Sequence, residues 1–272
     1  MVVEKHLIDS LKIGRKKVKV TMLQYADDTL FFCEANTKNA FNIKATLNCF
    51  KLCSGLKENF LKSEIGKLGI DQLMLQRYVA ILNCDVMGTP FVYMGMLVGG
   101  CHKRGAFWGG EIEIMKPRLC RWKGRFLSLA GKICLIKFVL TSIPLFYLSL
   151  FKMPSVVANE LVRIQRNFLW GWGVDGRNII WASWSKVCEP REAEGLGILD
   201  LRVFITTLLG KWIWRLGTDK GDLWNEILES KYGGWRSLRE GANNGRISLW
   251  WKDLKEVWGS EGWGRNFEDA FK

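Results

Sequence analysis

The sequence predicts an α+β fold, with antiparallel hairpins before residue 105 and mainly helices after it. Runs with β-strand character lie on both sides of the Asp27-Asp28 pair. Residues 89–100 form a second run that is rich in aromatic and β-branched residues. From residue 107 onward, apolar residues recur mostly at helical spacing, so the second part of the chain is expected to be helical.

The first hairpin is predicted around Asp27 and Asp28. Residues 18–23 mostly alternate apolar with polar side chains, and residues 29–33 are apolar and β-prone. Such runs around a short polar pair predict strand, tight turn and strand, with both carboxylates at the tip. Like charges this close cost free energy unless a cation lies between them, and Mg²⁺ prefers oxygen ligands. The pair therefore indicates a phosphoryl-transfer metal site, although a solvated turn explains the same residues because Asp is common in turns.

Two helices are expected within the first part of the chain, after a short helix that precedes the hairpin. Residues 2–11 carry apolar side chains at helical spacing, and Gly14 supplies a stop signal. Thr37 is a suitable N-cap for a helix that ends near Gly55, and Asp71 is expected to begin the next helix.

The second hairpin is predicted within residues 89–100, where a glycine interrupts the β-prone run. Gly95 is expected to allow a close approach of another backbone segment. The helices that follow are predicted over residues 107–122, 128–142, 156–170, 200–217, 222–232 and 247–258. A short strand is expected over residues 180–184, and a glycine-bracketed turn over residues 194–198.

Cysteine usage indicates a reducing compartment, the nucleus or the cytoplasm. The chain has eight cysteines without CxxC pairs, and no secretory signal opens it. Cys49 and Cys53 lie one helical turn apart and could share a metal, but no further ligand pair accompanies them. Packing in the core is therefore the favoured interpretation of these two thiols.

The longest apolar run covers residues 138–151 and is interrupted by Pro144. It is shorter than the roughly 20 residues that a membrane-spanning helix needs. We therefore expect a buried helix or a broken pair of helices here, and no membrane insertion.

The formal net charge of +13 indicates a polyanionic partner, with nucleic acid ahead of an anionic membrane surface. Cationic side chains lie among aromatic residues in the helical part, as nucleic-acid-binding helices require. The candidates are Lys116, Arg118, Arg121, Lys123, Arg125, Arg163 and Arg166. A solvated basic face that only aids solubility is the alternative. The 14 Trp residues are expected to fill a small core rather than to form a stacking platform.

Several stretches, taken in order, resemble the reverse transcriptases of non-LTR retrotransposons, especially the long interspersed elements of plants. LQYADDTL resembles the metal-binding hairpin of that family, and SGLKENFLKS resembles the polymerase motif that follows it. Later stretches look like the primer-grip hairpin, the thumb helices and the segment after the thumb. The matching ranges are 23–30, 54–63, 91–100, 127–132, 165–171, 184–188 and 195–198.

The resemblance implies two-metal attack of a primer 3′-hydroxyl on a nucleoside triphosphate, with an RNA template and a DNA primer as partners. Asp27 would ligate both Mg²⁺ ions, with Asp28 as a supporting carboxylate. Lys62 would lie near the nucleotide phosphates and protonate the leaving pyrophosphate. The residues expected near the nucleotide or the primer end are Tyr25, Tyr93, Met94 and Gly95.

The chain also departs from the family pattern. The family has another metal-binding Asp on an upstream strand, together with a fingers region. Neither fits into residues 1–22, where Asp9 is the only Asp. After residue 171 the chain has only Cys188 and no His, so no structural zinc is expected. An incomplete metal site and an inactive chain follow, unless a separate N-terminal half supplies the missing parts.

The resemblance also implies a division into a partial polymerase palm (1–104), a helical thumb (105–171) and a Trp-rich post-thumb region (172–259). Residues 260–272 lack periodicity and are expected to form a disordered tail. The first alternative function is a non-enzymatic, nucleic-acid-binding remnant of a decayed element. A second is a relic without function, whose open sheet edges make it fold poorly.

Overall fold

The computed structural model confirms the α+β class. It describes residues 7–57, 59, 62–66, 69–121, 127–171, 180–239 and 247–259. The strands are β1 Leu11–Ile13, β2 Val18–Val20, β3 Met22–Tyr25, β4 Asp28–Phe31, β5 Glu64–Ile65, β6 Asp85–Val86, β7 Phe91–Tyr93 and β8 Met96–Val98. The helices are α1 Thr37–Ser54, α2 Gln72–Leu82, α3 Gly109–Arg121, α4 Leu129–Leu135, α5 Leu145–Leu148, α6 Ser155–Trp170, α7 Trp184–Cys188, α8 Leu201–Thr218, α9 Leu223–Tyr232, α10 Arg236–Arg239 and α11 Leu249–Gly259.

The strands of the described residues form two-stranded pairs rather than one continuous sheet. β1–β2, β3–β4 and β7–β8 are antiparallel, and β5–β6 is a short parallel pair. The chain divides into two compact units. We call residues 1–99 with 221–234 the hairpin unit, and residues 100–220 with 235–272 the helical unit.

The prediction of a helix over residues 2–11 is wrong for its described end. Leu11–Ile13 is a strand that pairs with Val18–Val20, with Leu11 opposite Val20. The apolar residues at 11 and 13 alternate with Lys12, and this strand period prevails over the helical spacing of the residues before them. Residues 1–6 lie outside the described part of the chain.

The hairpin formed by β1 and β2 is held by α9, a helix far along the sequence. The amide of Arg15 donates to the carbonyl of Ser230 at 2.9 Å, and the Ser230 hydroxyl donates to the carbonyl of Ile13 at 3.1 Å. This approach requires glycine at position 14, where a Cβ would lie 2.4 Å from Ser230 Oγ and the φ is +74°. Residues 221–234 therefore complete the hairpin unit.

Helix α1 ends as predicted, at Gly55 with a left-handed φ of 73°, but its N-cap is Asn36 rather than Thr37. The Asn36 side chain accepts from the amide of Asn39 at 2.7 Å, and an Asn carbonyl oxygen serves this role as well as a Thr hydroxyl. Asp71 caps α2 as predicted, accepting from the amide of Leu73 at 3.3 Å.

One face of α1 is exposed and apolar. The expectation that Cys49 and Cys53 pack in the core is wrong, because both are exposed. The buried face of α1 is formed instead by its first two turns. The exposed stripe repeats at helical spacing and consists of Phe41, Ala45, Cys49 and Leu52.

The helical unit follows its predicted pattern closely. Helical spacing predicts a buried stripe of Val157, Leu161, Ile164 and Phe168 on α6, and all four residues are buried. The predicted helix over 128–142 consists of α4 followed by a π-helical turn over Ile136–Leu140. The broken helix pair predicted at Pro144 is also confirmed, but it is only partly buried, since Phe138 is 76% exposed.

Two predictions in the helical unit need correction. Residues 180–184 do not form a strand, because Ser183 accepts from the amide of Lys186 at 3.3 Å and begins helix α7. Helical spacing predicts a buried stripe of Leu201, Phe204, Leu208 and Trp212 on α8, but only Leu201 of these is buried and the other three are half-buried. The residues that are buried are Leu201, Ile205, Leu209, Gly210, Ile213 and Leu216. Among the described residues, no helix is long and apolar enough to cross a membrane.

Candidate catalytic hairpin and nucleic-acid interface

The predicted carboxylate hairpin is present. β3 and β4 pair antiparallel with Met22 opposite Phe31 and Tyr25 opposite Asp28, so Ala26 and Asp27 form the two-residue turn. Ala26 has a left-handed φ of 50°, which turns with primed geometry require at their first central residue. Asp27 therefore lies at the tip and Asp28 at the first position of β4.

Both carboxylates are exposed, and neither forms an ion pair with a residue that the structure describes. Tyr25, which precedes the turn, is 62% exposed. Two adjacent carboxylates suit Mg²⁺, which is usually held by one or two carboxylates together with waters and substrate phosphates. However, no group of three or more Asp, Glu, His or Cys side chains among the described residues could hold a metal ion. The donor set therefore fits part of a Mg²⁺ site and does not complete one.

Lys62 lies in the hairpin unit and is exposed. Its amide donates to the carbonyl of Asn59 at 3.0 Å. Within the described residues no hydrogen bond or ion pair joins Lys62 to Asp27 or Asp28. The structure thus places both carboxylates on adjacent residues of one hairpin and leaves the lysine outside their contacts.

The second predicted hairpin is formed by β7 and β8, with Tyr93 opposite Met96. Met94 and Gly95 form its turn, and both have positive φ, at 50° and 77°. The expectation that Gly95 permits a close backbone approach is wrong, because a Cβ there would meet no atom within 4 Å. The glycine is instead required by the turn conformation. Met94 is 44% exposed and Tyr93 is half-buried.

The cationic residues predicted to bind nucleic acid are only partly described. Lys116 is exposed on α3, and its ammonium lies 3.3 Å from the carboxylate of Glu160 on α6. Arg118 and Arg121 belong to α3, and their side chains lie outside the described part, as do Lys123 and Arg125 entirely.

Arg163 and Arg166 lie together on α6 and line a small cavity of about 110 Å³ with Asn167, Trp170 and Ile180. The spacing of 163, 166, 167 and 170 puts these side chains on one face of the helix. The structure therefore brings two of the predicted cations to the same opening.

A larger, mostly apolar cavity of about 510 Å³ shares Trp170 with the cationic one. Sequence reasoning missed it, because the tryptophans were assigned to the core. Trp181, one of its walls, is 78% exposed. The cavity is lined by Leu129, Leu169, Trp170, Trp181, Ala182, Lys186, Val187, Glu194 and Leu196.

Three cysteines, Cys33, Cys84 and Cys188, have a raised pKa and are therefore poor nucleophiles. Burial, with a smaller contribution from the charge of Asp200, raises the pKa of Cys188 to about 11. Burial likewise raises the pKa of Cys33 and of Cys84. These three cysteines remain protonated at neutral pH, so thiolate chemistry at them is not expected.

Comparison with known proteins gives two relatives, both from Arabidopsis thaliana. A protein named as a ribonuclease H protein is 33% identical over 149 residues, which is 54% of this chain and 24% of that protein. An uncharacterized mitochondrial protein is 28% identical over 114 residues, which is 42% of this chain and 74% of that protein. No family model matches the chain. The chain thus aligns with about a quarter of the longer relative.

Proposed function

We propose that the chain is part of the reverse transcriptase of a non-LTR retrotransposon and that it binds nucleic acid without polymerising on its own. The observation that carries this proposal is the β3–β4 hairpin, which exposes Asp27 at its tip and Asp28 at the first position of β4. The relative named as a ribonuclease H protein supports the same retrotransposon origin, since that name implies action on nucleic acid.

The residues of this chain would contribute in distinct ways. Asp27 and Asp28 would hold Mg²⁺, which when bound would polarise the phosphates of a nucleotide and stabilise charge in the transition state. Tyr25, beside the turn, offers an exposed ring against which a nucleotide can pack. Lys62 would reach the nucleotide phosphates, and the β7–β8 turn at Met94-Gly95 would support the primer end.

Polymerisation by this chain alone is not expected, because two carboxylates supply only part of a two-metal site. The test is primer extension on an RNA template with Mg²⁺, using the chain and its Asp27→Ala variant. Both are expected to give no incorporation. Added as a separate polypeptide, a palm strand with a metal-binding Asp and a fingers region are expected to allow incorporation with the unmodified chain and not with the Asp27→Ala variant. Incorporation by the unassisted chain that Asp27→Ala abolishes would contradict the proposed inactivity.

The alternative function, a nucleic-acid-binding remnant, is favoured by Arg163 and Arg166 at one opening on α6. Binding through such cations weakens with salt, because each neutralised phosphate releases counterions. We expect log Kd to rise linearly with log salt concentration, and the slope to fall by roughly 1 for each arginine removed in Arg163→Gln and Arg166→Gln. A salt titration of oligonucleotide binding measures this slope.

The control for that titration is Lys211→Gln, which removes an exposed cation on α8 that lines neither cavity. Its slope should fall less than that of either arginine variant. A slope unaffected by removing both arginines would rule out α6 as the nucleic-acid interface. No binding at low salt would rule out both functions.

A further inference from the structure

The cavity of about 510 Å³ in the helical unit has the size and composition of a ligand site. Its volume lies within the roughly 300–1,000 Å³ typical of small-molecule sites, and its walls are mostly apolar with a few polar groups. Trp170 and Trp181 form part of it, on either side of residues 172–179 in sequence. The exposure of Trp181, 78%, leaves an aromatic face available to a planar ligand.

The backbone fixes the opposite side of this cavity. Val187 on α7 accepts a hydrogen bond from the amide of Leu196 at 3.1 Å, so the loop that follows α7 lies back against it. Lys186 does not contribute a free charge, since its ammonium donates to Glu189 at 2.9 Å and to the carbonyl of Ala193 at 2.8 Å. Glu194 is the anionic residue in the lining.

Trp170 joins this apolar cavity to the cationic one. It lines both, so a ligand in the larger cavity would contact a residue that also borders the opening at Arg163 and Arg166. The indole N–H of Trp170 is buried and has no acceptor among the described residues. A buried donor without an acceptor is costly, and a ligand oxygen or ring nitrogen would satisfy it.

We infer that these adjoining cavities bind one unpaired nucleotide of a single-stranded nucleic acid. The base would enter the apolar cavity against Trp181 and Trp170, and the phosphate would lie at Arg163 and Arg166. Single-stranded nucleic acids are recognised in this way, by stacking of splayed bases on aromatic rings beside cations that neutralise the backbone. This inference rests on the proposed nucleic-acid binding and adds to it a contact with the base, made by stacking and open to any of the four bases.

The test compares a short single-stranded RNA oligonucleotide with an abasic oligonucleotide of the same length and charge. The intact chain is expected to bind the RNA roughly 5- to 100-fold more tightly, the range that one stacked base contributes. In Trp181→Ala this preference should disappear, while the affinity for the abasic oligonucleotide stays unchanged. Trp181 is largely exposed, so its removal should leave the fold intact. The matched control is Trp214→Ala, which removes a Trp that is 44% exposed on α8 and lines neither cavity.

Three results would overturn the inference while leaving the proposed nucleic-acid binding in place. The first is equal affinity of the intact chain for both oligonucleotides. The second is an equal loss of affinity for both oligonucleotides in Trp181→Ala, and the third is the same loss of preference in Trp214→Ala as in Trp181→Ala. Failure of both oligonucleotides to bind at low salt would instead overturn the proposed binding, and the inference with it.

Discussion

Replacing Asp253 by Ala is expected to destabilise the helical unit by about 1–3 kcal/mol, the cost of leaving a buried polar group without its hydrogen-bond partner. Asp253 lies on α11 and is 1% exposed. Its Oδ2 is 2.5 Å from Nε2 of His102, and its Oδ1 is 3.3 Å from Nζ of Lys103. The carboxylate therefore joins the last described helix to the first residues of the unit.

Stability is expected to fall because the side chain of His102 remains buried when Asp253 is removed. His102 is 3% exposed, its ring stacks on Phe151 with centroids 5.2 Å apart, and its carbonyl accepts from the indole of Trp108 at 2.7 Å. Without Asp253, the imidazole keeps its burial and loses its hydrogen-bond partner, and Lys103 loses its counter-charge. An unsatisfied buried polar group carries its full desolvation cost.

Denaturant unfolding followed by tryptophan fluorescence measures this loss, and Glu256→Ala on the same helix is the control. Glu256 pairs with Lys152 at 2.5 Å, but the two side chains are 63% and 33% exposed. An exposed pair of this kind contributes about 0–1 kcal/mol. An equal loss of unfolding free energy in both variants would contradict the expected role of Asp253 and its contacts with His102 and Lys103 in holding α11.

The elements that could be predicted from the sequence are those whose signals are local. The Asp27-Asp28 hairpin, the end of α1 at Gly55 and the buried stripe of α6 each depend on residues within a few positions of one another. Periodicity and turn chemistry describe such neighbourhoods directly. The helix predicted over residues 2–11 is wrong at its described end, where Leu11 begins a strand. That prediction depended on a few apolar residues, which are equally compatible with a strand.

Contacts between segments far apart in the sequence could not be predicted from local patterns. His102 and Asp253 are 151 positions apart, and Ser230 is 217 positions from Ile13. Nothing in either segment's own pattern specifies the other. The residues around His102 give no indication of its partner on α11, and α9 is predicted only as one more helix, over residues 222–232.

The candidate sites divide in the same way. The hairpin around Asp27 and Asp28 is present as predicted, but its turn is Ala26-Asp27, and Asp28 is the first residue of β4 rather than part of the tip. The cavity beside Trp170 could not be predicted, because its walls come from α4, α6, α7 and the loop that follows. Tryptophan is usually buried in a core, and only the packing of these segments shows that Trp181 is exposed.

Gly195 lies in the loop that follows α7, and its replacement by Ala should destabilise the helical unit by about 1–3 kcal/mol through overpacking. A Cβ at position 195 would lie 2.0 Å from the carbonyl oxygen of Glu189 and 2.4 Å from its carbonyl carbon. Both are backbone atoms, so no side-chain rotation relieves the clash. The amide of Gly195 also donates to the carbonyl of Pro190 at 3.0 Å, which holds the loop at this distance.

The substitution should also reach the cavity, since Leu196 is one residue away and lines it with Val187. Moving the loop away from Glu189 lengthens the Leu196–Val187 hydrogen bond and opens the apolar wall. Gly195→Ala is therefore expected to weaken the preference for base-containing over abasic oligonucleotides as well as the fold. Unfolding and binding measurements on one preparation test both effects.

Gly110→Ala is the matched control, because Gly110 is an exposed residue of α3 where a Cβ would meet nothing within 4 Å. There the same substitution should stabilise by about 0.4–1 kcal/mol, since alanine has fewer unfolded conformations to lose. The two glycine variants are thus expected to shift stability in opposite directions. Equal stabilisation by both would show that the loop after α7 has room for a side chain, and that the wall of the cavity is not fixed at Gly195.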